Sequence, residues 1–242
     1  MRKLFLLITI IIYPFGHTYS QDLGVSDSTR DLIQKRVTAT IGSECGVEDV
    51  IYVDSTLKPI SPEGGIEDPY HTLIHYFVFT YSRVKPIPNI VSESNLSVGI
   101  FRDGKVIAKL DTAIETFAST SGRIEAIRDL NNDGKVDIVI SRILGVHGPF
   151  NESFWIVSWD GFHLRLINAK NKTQWRSVII APYNCLKYVD IDSDGVYELT
   201  TSFENEKGIE KKVIYSWNGK LYGDWGKSSK ALLKSTSKIK RK

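Results

Sequence analysis

Apolar and polar residues alternate with a period of two through VGIFRDGKVIAKL, IVSWDGFHLRLI and IYSWNGKLY, and the runs turn back at Asp103-Gly104, Asp160-Gly161 and Asn218-Gly219. Alternation places one side of a strand on a core and the other in solvent. Asp-Gly or Asn-Gly between two such runs is a strong hairpin signal, because tight hairpin turns need positive φ at both central residues. Three hairpins are predicted, with their glycines 57 and 58 residues apart. Between them, at the same period, lie two oxygen-rich stretches, DLNNDGKVDIVIS (Asp129 to Ser141) and DIDSDGVYELTTS (Asp190 to Ser202). Each runs into a segment rich in β-formers that reads as a strand.

The strand LKYVD leads into the second oxygen-rich stretch, and IYVD at Ile51 to Asp54 is the corresponding strand of an earlier unit. Three units follow, at about 46–112, 113–170 and 171–224, each read as strand, polar loop, strand, connector and hairpin. Four strands in roughly 60 residues suit one blade of a propeller. The predicted fold is all-β: three tandem four-stranded antiparallel blade-like repeats. A closed propeller usually has at least four blades, so three make an open or partial arrangement whose sheet edges need cover. Ahead of them, SDSTRDLIQKRVTATIGS offers Ser26, Asp27 or Ser28 as a cap and Leu32, Ile33, Val37 and Ile41 at helical spacing. One short helix is expected within a cover segment at 21–45, across an edge or an end of the sheets.

Composition adds compartment and charge. With 42% hydrophobic and 24% charged residues, the 242-residue chain is in the ordinary globular range. Arg2 and Lys3, the apolar run from Leu4 to Phe15 and small residues at Thr18 and Ser20 predict a signal peptide over residues 1–20, and hence a secreted or periplasmic protein. The apolar run is shorter than the roughly 20 residues that span a bilayer. The net charge of +3 conceals a basic tail, residues 225–242, with seven basic and no acidic residues, on a body (21–224) with 22 basic and 28 acidic. A solvated, flexible tail is the plain reading; contact with an anionic surface is the functional one. A secreted protein with no basic patch elsewhere is not expected to bind nucleic acid. Cys45 and Cys185 leave two readings open: a disulfide, which export permits and which would stabilise by about 4 to 5 kcal/mol, or two buried free thiols.

The candidate chemistry lies in the two oxygen-rich stretches. Counting from Asp129, oxygen side chains fall at positions one, three, five and nine: Asp129, Asn131, Asp133 and Asp137. Gly134 at position six allows a sharp turn, and Lys135 at seven can offer its carbonyl. The second loop repeats this with Asp190, Asp192, Asp194 and Glu198, Gly195 at the turn and the carbonyl of Val196. A hard cation such as calcium takes six to eight oxygen ligands in a pliable loop, whereas magnesium demands a tighter octahedron and keeps its waters. Unliganded acidic turns in water are the alternative. An EF-hand would need a glutamate at position twelve and a helix afterwards, but that position holds Ile140 and Thr201 and strands follow.

DLNNDGKVDIVIS and DIDSDGVYELTTS resemble the calcium loops of FG-GAP and VCBS-type repeats, found in integrin-like β-propellers and in many bacterial secreted proteins. The resemblance covers about residues 46–224 and implies a loop joining the first two strands of a blade, with two calcium ions held at the positions just named. The first unit departs from the pattern: Asp54, Thr56 and Lys58 stand where ligands would be, with an insertion through PISPEGGIEDP, and no ion is expected there.

A catalytic centre is not indicated. His71 and His75 share a strand face but lack an assignable third zinc ligand, His147 and His163 are isolated, and the sequence has no Gly-x-Ser-x-Gly, His-Glu-x-x-His or phosphate-loop motif. Trp155, Trp159, Tyr215 and Trp217 lie on the hairpin strands, where packing between sheets is the expected role. The expected function is a calcium-binding macromolecular binding or adhesion module whose ions are structural, with an unknown protein or glycan, or a second copy of the chain, as partner. An exported enzyme or accessory domain acting on glycans or phosphoesters is the alternative.

Overall fold

The structure, a computed structural model, describes residues 27–43, 45–59, 76–85, 93–112, 122–144, 151–169, 179–204, 208 and 210–224. The expected signal peptide, the first-unit insertion beyond Pro59, His71, His75, His147 and the basic tail lie outside the described residues. Among the described residues a single helix, α1 (Asp27–Ile41), is followed by β1 (Cys45–Val53), β2 (Tyr76–Lys85), β3 (Glu93–Arg102), β4 (Lys105–Asp111), β5 (Gly122–Arg128), β6 (Val136–Leu144) and β7 (Asn151–Trp159). Then come β8 (Leu164–Leu166), β9 (Ile179–Pro182), β10 (Lys187–Val189), β11 (Glu198–Glu204), β12 (Glu210–Trp217) and β13 (Tyr222–Gly223).

The strands form three antiparallel sheets, ordered β1-β2-β3-β4, β5-β6-β7-β8 and β10-β11-β12-β13, so the expected all-β fold of blade-like repeats is the observed one. None of the three is a closed barrel. The middle sheet holds a strand that the repeat pattern did not suggest: β9 pairs with β7 from Asn151↔Pro182 to Phe154↔Ile179, on the edge whose other end carries β8. β7 is nine residues long and β8 three, which leaves half of that edge to be filled by chain from the following unit.

Alternation along the strands gives the first and second sheets two apolar faces each and the third sheet one. Ile51, Val53, Val78, Val98 and Ile100 of the first sheet meet Ile124, Ile138, Ile140, Trp155 and Val157 of the second. On the other side of the second sheet, Val139, Phe154 and Ile156 pack with Leu199 and Tyr215 of the third, and with Leu130 and Tyr222. The sheets therefore stack face to face in chain order. The tryptophans behave as expected: Trp155 is buried in the first interface, Trp159 packs against it, and Trp217 packs against the second.

The remaining face of the first sheet is covered by α1, whose Ile33 and Val37 are buried against Tyr52, Phe77, Phe79 and Phe101. The helix thus covers a face. It also serves the edge: Gln34 donates from Nε2 to the carbonyl of Cys45 and accepts from the amide of Val47, taking up backbone groups of edge strand β1. Both cysteines are free thiols, Cys45 buried in this cluster and Cys185 exposed.

Of the three hairpins, the first has the expected turn, with Asp103 and Gly104 at φ of 49° and 76°. The other two have four-residue loops. Asp160 and Asn218 each turn the side chain back onto the amides two and three residues ahead, and positive φ falls on Gly161 and Gly219 alone. An Asx side chain closing the turn replaces one of the two left-handed residues.

Candidate metal centre

Both oxygen-rich loops leave the first strand of a four-stranded unit and lead into the second: Asp129 to Lys135 joins β5 to β6, and Asp190 to Tyr197 joins β10 to β11. Their folding is nearly identical. In the first, Asp129 accepts the amides of Asp133 (3.3 Å) and Gly134 (2.9 Å), and Asp133 accepts that of Lys135 (3.0 Å). In the second, Asp190 accepts the amides of Asp194 (3.2 Å) and Gly195 (3.1 Å), and Asp194 that of Val196 (2.8 Å). Position nine closes each loop: Asp137 Oδ2 accepts the Leu130 amide and Glu198 Oε2 the Ile191 amide, each at 3.0 Å. The winding needs left-handed backbone twice per loop, at Asn132 and Gly134 (φ 56° and 77°) and at Ser193 and Gly195 (φ 63° and 86°).

Among the described residues, the second loop alone gathers three carboxylates. In the second loop, carboxylate oxygens of Asp190, Asp192 and Asp194 lie within 4.8 Å of one another. In the first loop an amide, Asn131, replaces the middle carboxylate; it is buried and accepts the Asp133 amide at 3.2 Å. Asp133 and Lys135 are exposed, and their side chains pair at 3.6 Å. Val196 is half-buried.

Asp137 carries the strongest signal. It sits at the start of β6 with none of its surface exposed, and its Oδ1 has no hydrogen-bond partner. Ser158 faces it from β7 and lies close enough to favour the ionised form, but its hydroxyl stops short of a hydrogen bond and is itself unpartnered. Burial pushes the Asp137 carboxyl up to about 6, the Leu130 amide opposes that rise, and the charges of Asp133 and Asp129 add to it. Glu198 is pushed in the same direction by burial, with Asp192 and Asp194 contributing. A buried carboxylate oxygen without a donor is costly, and several like charges around one point add to the cost; a hard cation relieves both. The residue types of both loops, carboxylates and an amide with a backbone carbonyl, are ones calcium takes alongside waters, and in the second loop Asp190, Asp192 and Asp194 are already gathered.

The first unit shows what the same position becomes without that donor set. Oδ1 of Asp54 accepts the amide and hydroxyl of Thr56, both at 2.7 Å, and the amide of Lys58 at 3.0 Å, so protein donors take up this oxygen. His163 stands at the exposed tip of the second hairpin, 3.7 Å from Asp160.

Sequence reasoning missed what joins the two loops. The carbonyl of Leu130 accepts the amide of Tyr197 (2.7 Å) and the hydroxyl of Tyr222 (2.9 Å), and the Arg128 guanidinium stacks 3.8 Å over the Tyr197 ring. These residues lie 67 and more positions apart in pairs that no local pattern connects, apart from the apolar character of position two, Leu130 and Ile191. No family model matches the chain, and neither the curated proteins nor the solved structures compared with it gave a match.

Proposed function

We propose that the protein is a secreted or periplasmic calcium-binding repeat module of the FG-GAP/VCBS kind, in which two ions rigidify stacked β-sheets that present loops to another macromolecule. The unpartnered, buried Oδ1 of Asp137 carries this reading, because it is a carboxylate oxygen without a donor at the end of a turn whose positions one, three and five also hold oxygen side chains. The side chains that would hold the ions are Asp129, Asn131, Asp133 and Asp137 in one loop and Asp190, Asp192, Asp194 and Glu198 in the other, with the carbonyls of Lys135 and Val196. When bound, calcium supplies positive charge and oxygen coordination. Its role here is structural, since each loop closes back on its own strand through the Leu130 and Ile191 amides.

Export is supported by the basic and apolar leader pattern of residues 1–20. The partner is a protein or glycan, or a second copy of the chain. Thermal melting of the full chain in saturating calcium and in excess chelator tests the proposal. A site held a hundredfold above its dissociation constant contributes about 2.7 kcal/mol, several degrees in melting temperature. Equal melting in the two conditions would remove the structural role.

A further inference from the structure

We infer that the two loops bind their ions cooperatively, through a shared residue, Leu130, and a side-chain seat; this rests on the reading that both loops hold calcium. Leu130 is shared because its two flanking peptide groups serve one loop each: the N–H its own, the C=O the other. In the first loop Leu130 lies between ligand positions Asp129 and Asn131, and its amide donates to Asp137, the ligand at position nine. Its carbonyl accepts the amide of Tyr197, which immediately precedes Glu198, position nine of the second loop. Glu198 in turn accepts the amide of Ile191, between Asp190 and Asp192. One run of hydrogen bonds therefore passes from Asp137 through Leu130 and Tyr197 to the segment that ends in Glu198.

The run is buried and braced. Leu130 and Tyr222 have no exposed surface, and the Tyr222 hydroxyl donates to the same Leu130 carbonyl. Arg128, one residue before Asp129, stacks over the Tyr197 ring. At the outer end of the loops a second contact completes the pairing: Asn132 Nδ2 lies 3.5 Å from the Asp194 carbonyl, and a Cβ built on Gly195 would come within 2.7 Å of that nitrogen. Asn132 is not a ligand position, and its left-handed backbone (φ 56°) directs it across the gap. The loops thus touch at an inner and an outer point. Ordering Asp129, Asn131 and Asp137 around one ion fixes the Leu130 peptide, which sets the Tyr197 peptide and the position of Glu198 before the second ion arrives.

Electrostatics alone would give the opposite sign. Two divalent ions in adjacent loops repel, so a first ion would weaken binding of the second. The sign of the coupling therefore separates the mechanical account from the electrostatic one.

The test is calorimetric titration of the full chain with calcium, for the wild type and for Asp133→Ala, Asp194→Ala and Asn132→Gly. Each aspartate variant reports the intrinsic affinity of the loop left intact, and the product of the two, compared with the overall wild-type constant, gives the coupling factor. A factor of about five or more is expected, at the lower end of allosteric couplings, together with a wild-type Hill coefficient above one. Asn132→Gly, whose backbone suits glycine, is expected to keep two ions while the factor falls below the wild-type value, leaving the part carried through Leu130. If an aspartate variant does not fold, the Hill coefficients of the wild type and Asn132→Gly still decide. Two bound ions with a factor, or a Hill coefficient, of one or less would overturn the coupling and leave the calcium sites standing. A wild-type chain that binds no calcium would overturn the sites themselves.

Discussion

The backbone carbonyl of Leu130 accepts the amide of Tyr197 at 2.7 Å, across 67 residues of sequence, and so joins the loop that opens the second sheet to the loop that opens the third. Leu130 is also part of the apolar cluster between those sheets. The candidate ion loops therefore sit on the rim of a hydrophobic interface, and what stabilises a loop also stabilises the interface beneath it. Leu130→Ala should lower stability by about 2 to 5 kcal/mol, as truncations of buried leucine do. It should also weaken calcium binding, read from denaturant unfolding and titration of the same variant.

Asp133→Ala and Asp194→Ala should each remove one ion per chain while leaving the sheets folded, because both residues are exposed and their side-chain contacts are local: Asp133 with the amide and ammonium of Lys135, Asp194 with the amide of Val196. Metal content after equilibrium dialysis checks this: two ions in the wild type, one in each variant and none in the double variant.

The buried Asp137 gives the calcium-free protein a pH dependence of definite sign. Its carboxyl is raised from 3.8 to about 6 on folding, so the folded state holds this proton more tightly than the unfolded state does. Its contribution to stability is greatest below pH 4 and is lost as pH rises through about 6, by up to about 3 kcal/mol. In chelator, Asp137→Asn, which keeps an acceptor for the Leu130 amide, should therefore be more stable than the wild type at pH 7.5 and about equal to it at pH 4. In calcium at pH 7.5 the order should reverse, since the variant loses a charged ligand. Melting curves of both proteins at the two pH values, with and without calcium, are the measurement.

Glu48 and Arg142 form an ion pair at 3.2 Å in the interface between the first and second sheets, with Arg142 only 1% exposed. Glu48 stands at an irregularity in the β1 register and also accepts the amide of Gly122, where β5 begins, while its neighbour Asp49 accepts the amide of Ile124 at 2.8 Å. Two acidic side chains of one sheet thus take up edge amides of the next. Glu48→Ala should cost about 3 to 5 kcal/mol, because it takes the carboxylate from a buried guanidinium. Replacing both partners, Glu48→Leu with Arg142→Met, should cost less than the single change; chemical denaturation of the three proteins compares them.

The fold was largely legible because its signals are local. Alternation in VGIFRDGKVIAKL and its two counterparts marks strands, and Asp-Gly or Asn-Gly marks the turns between them, so three antiparallel units follow from the period of about 60 residues. The positions of the oxygen side chains were legible for the same reason, since a loop of nine residues folds on its own turns at Gly134 and Gly195. What failed to show was long-range. Nothing near Ile179–Pro182 says that it will complete the edge of β7, and nothing near Glu48 says that it will meet an arginine 94 residues later. The two later hairpins misled because Asp160 and Asn218 close a wider turn with their side chains, a choice that the dipeptide alone does not encode.

Calcium titration of the purified full chain by calorimetry tests the central claim most directly, because it reads stoichiometry and affinity together. The account predicts saturable binding of two ions per chain, with dissociation constants of about 10⁻⁴ to 10⁻³ M, as extracellular modules show. Absence of saturable heat at calcium concentrations of about ten times that range would contradict it.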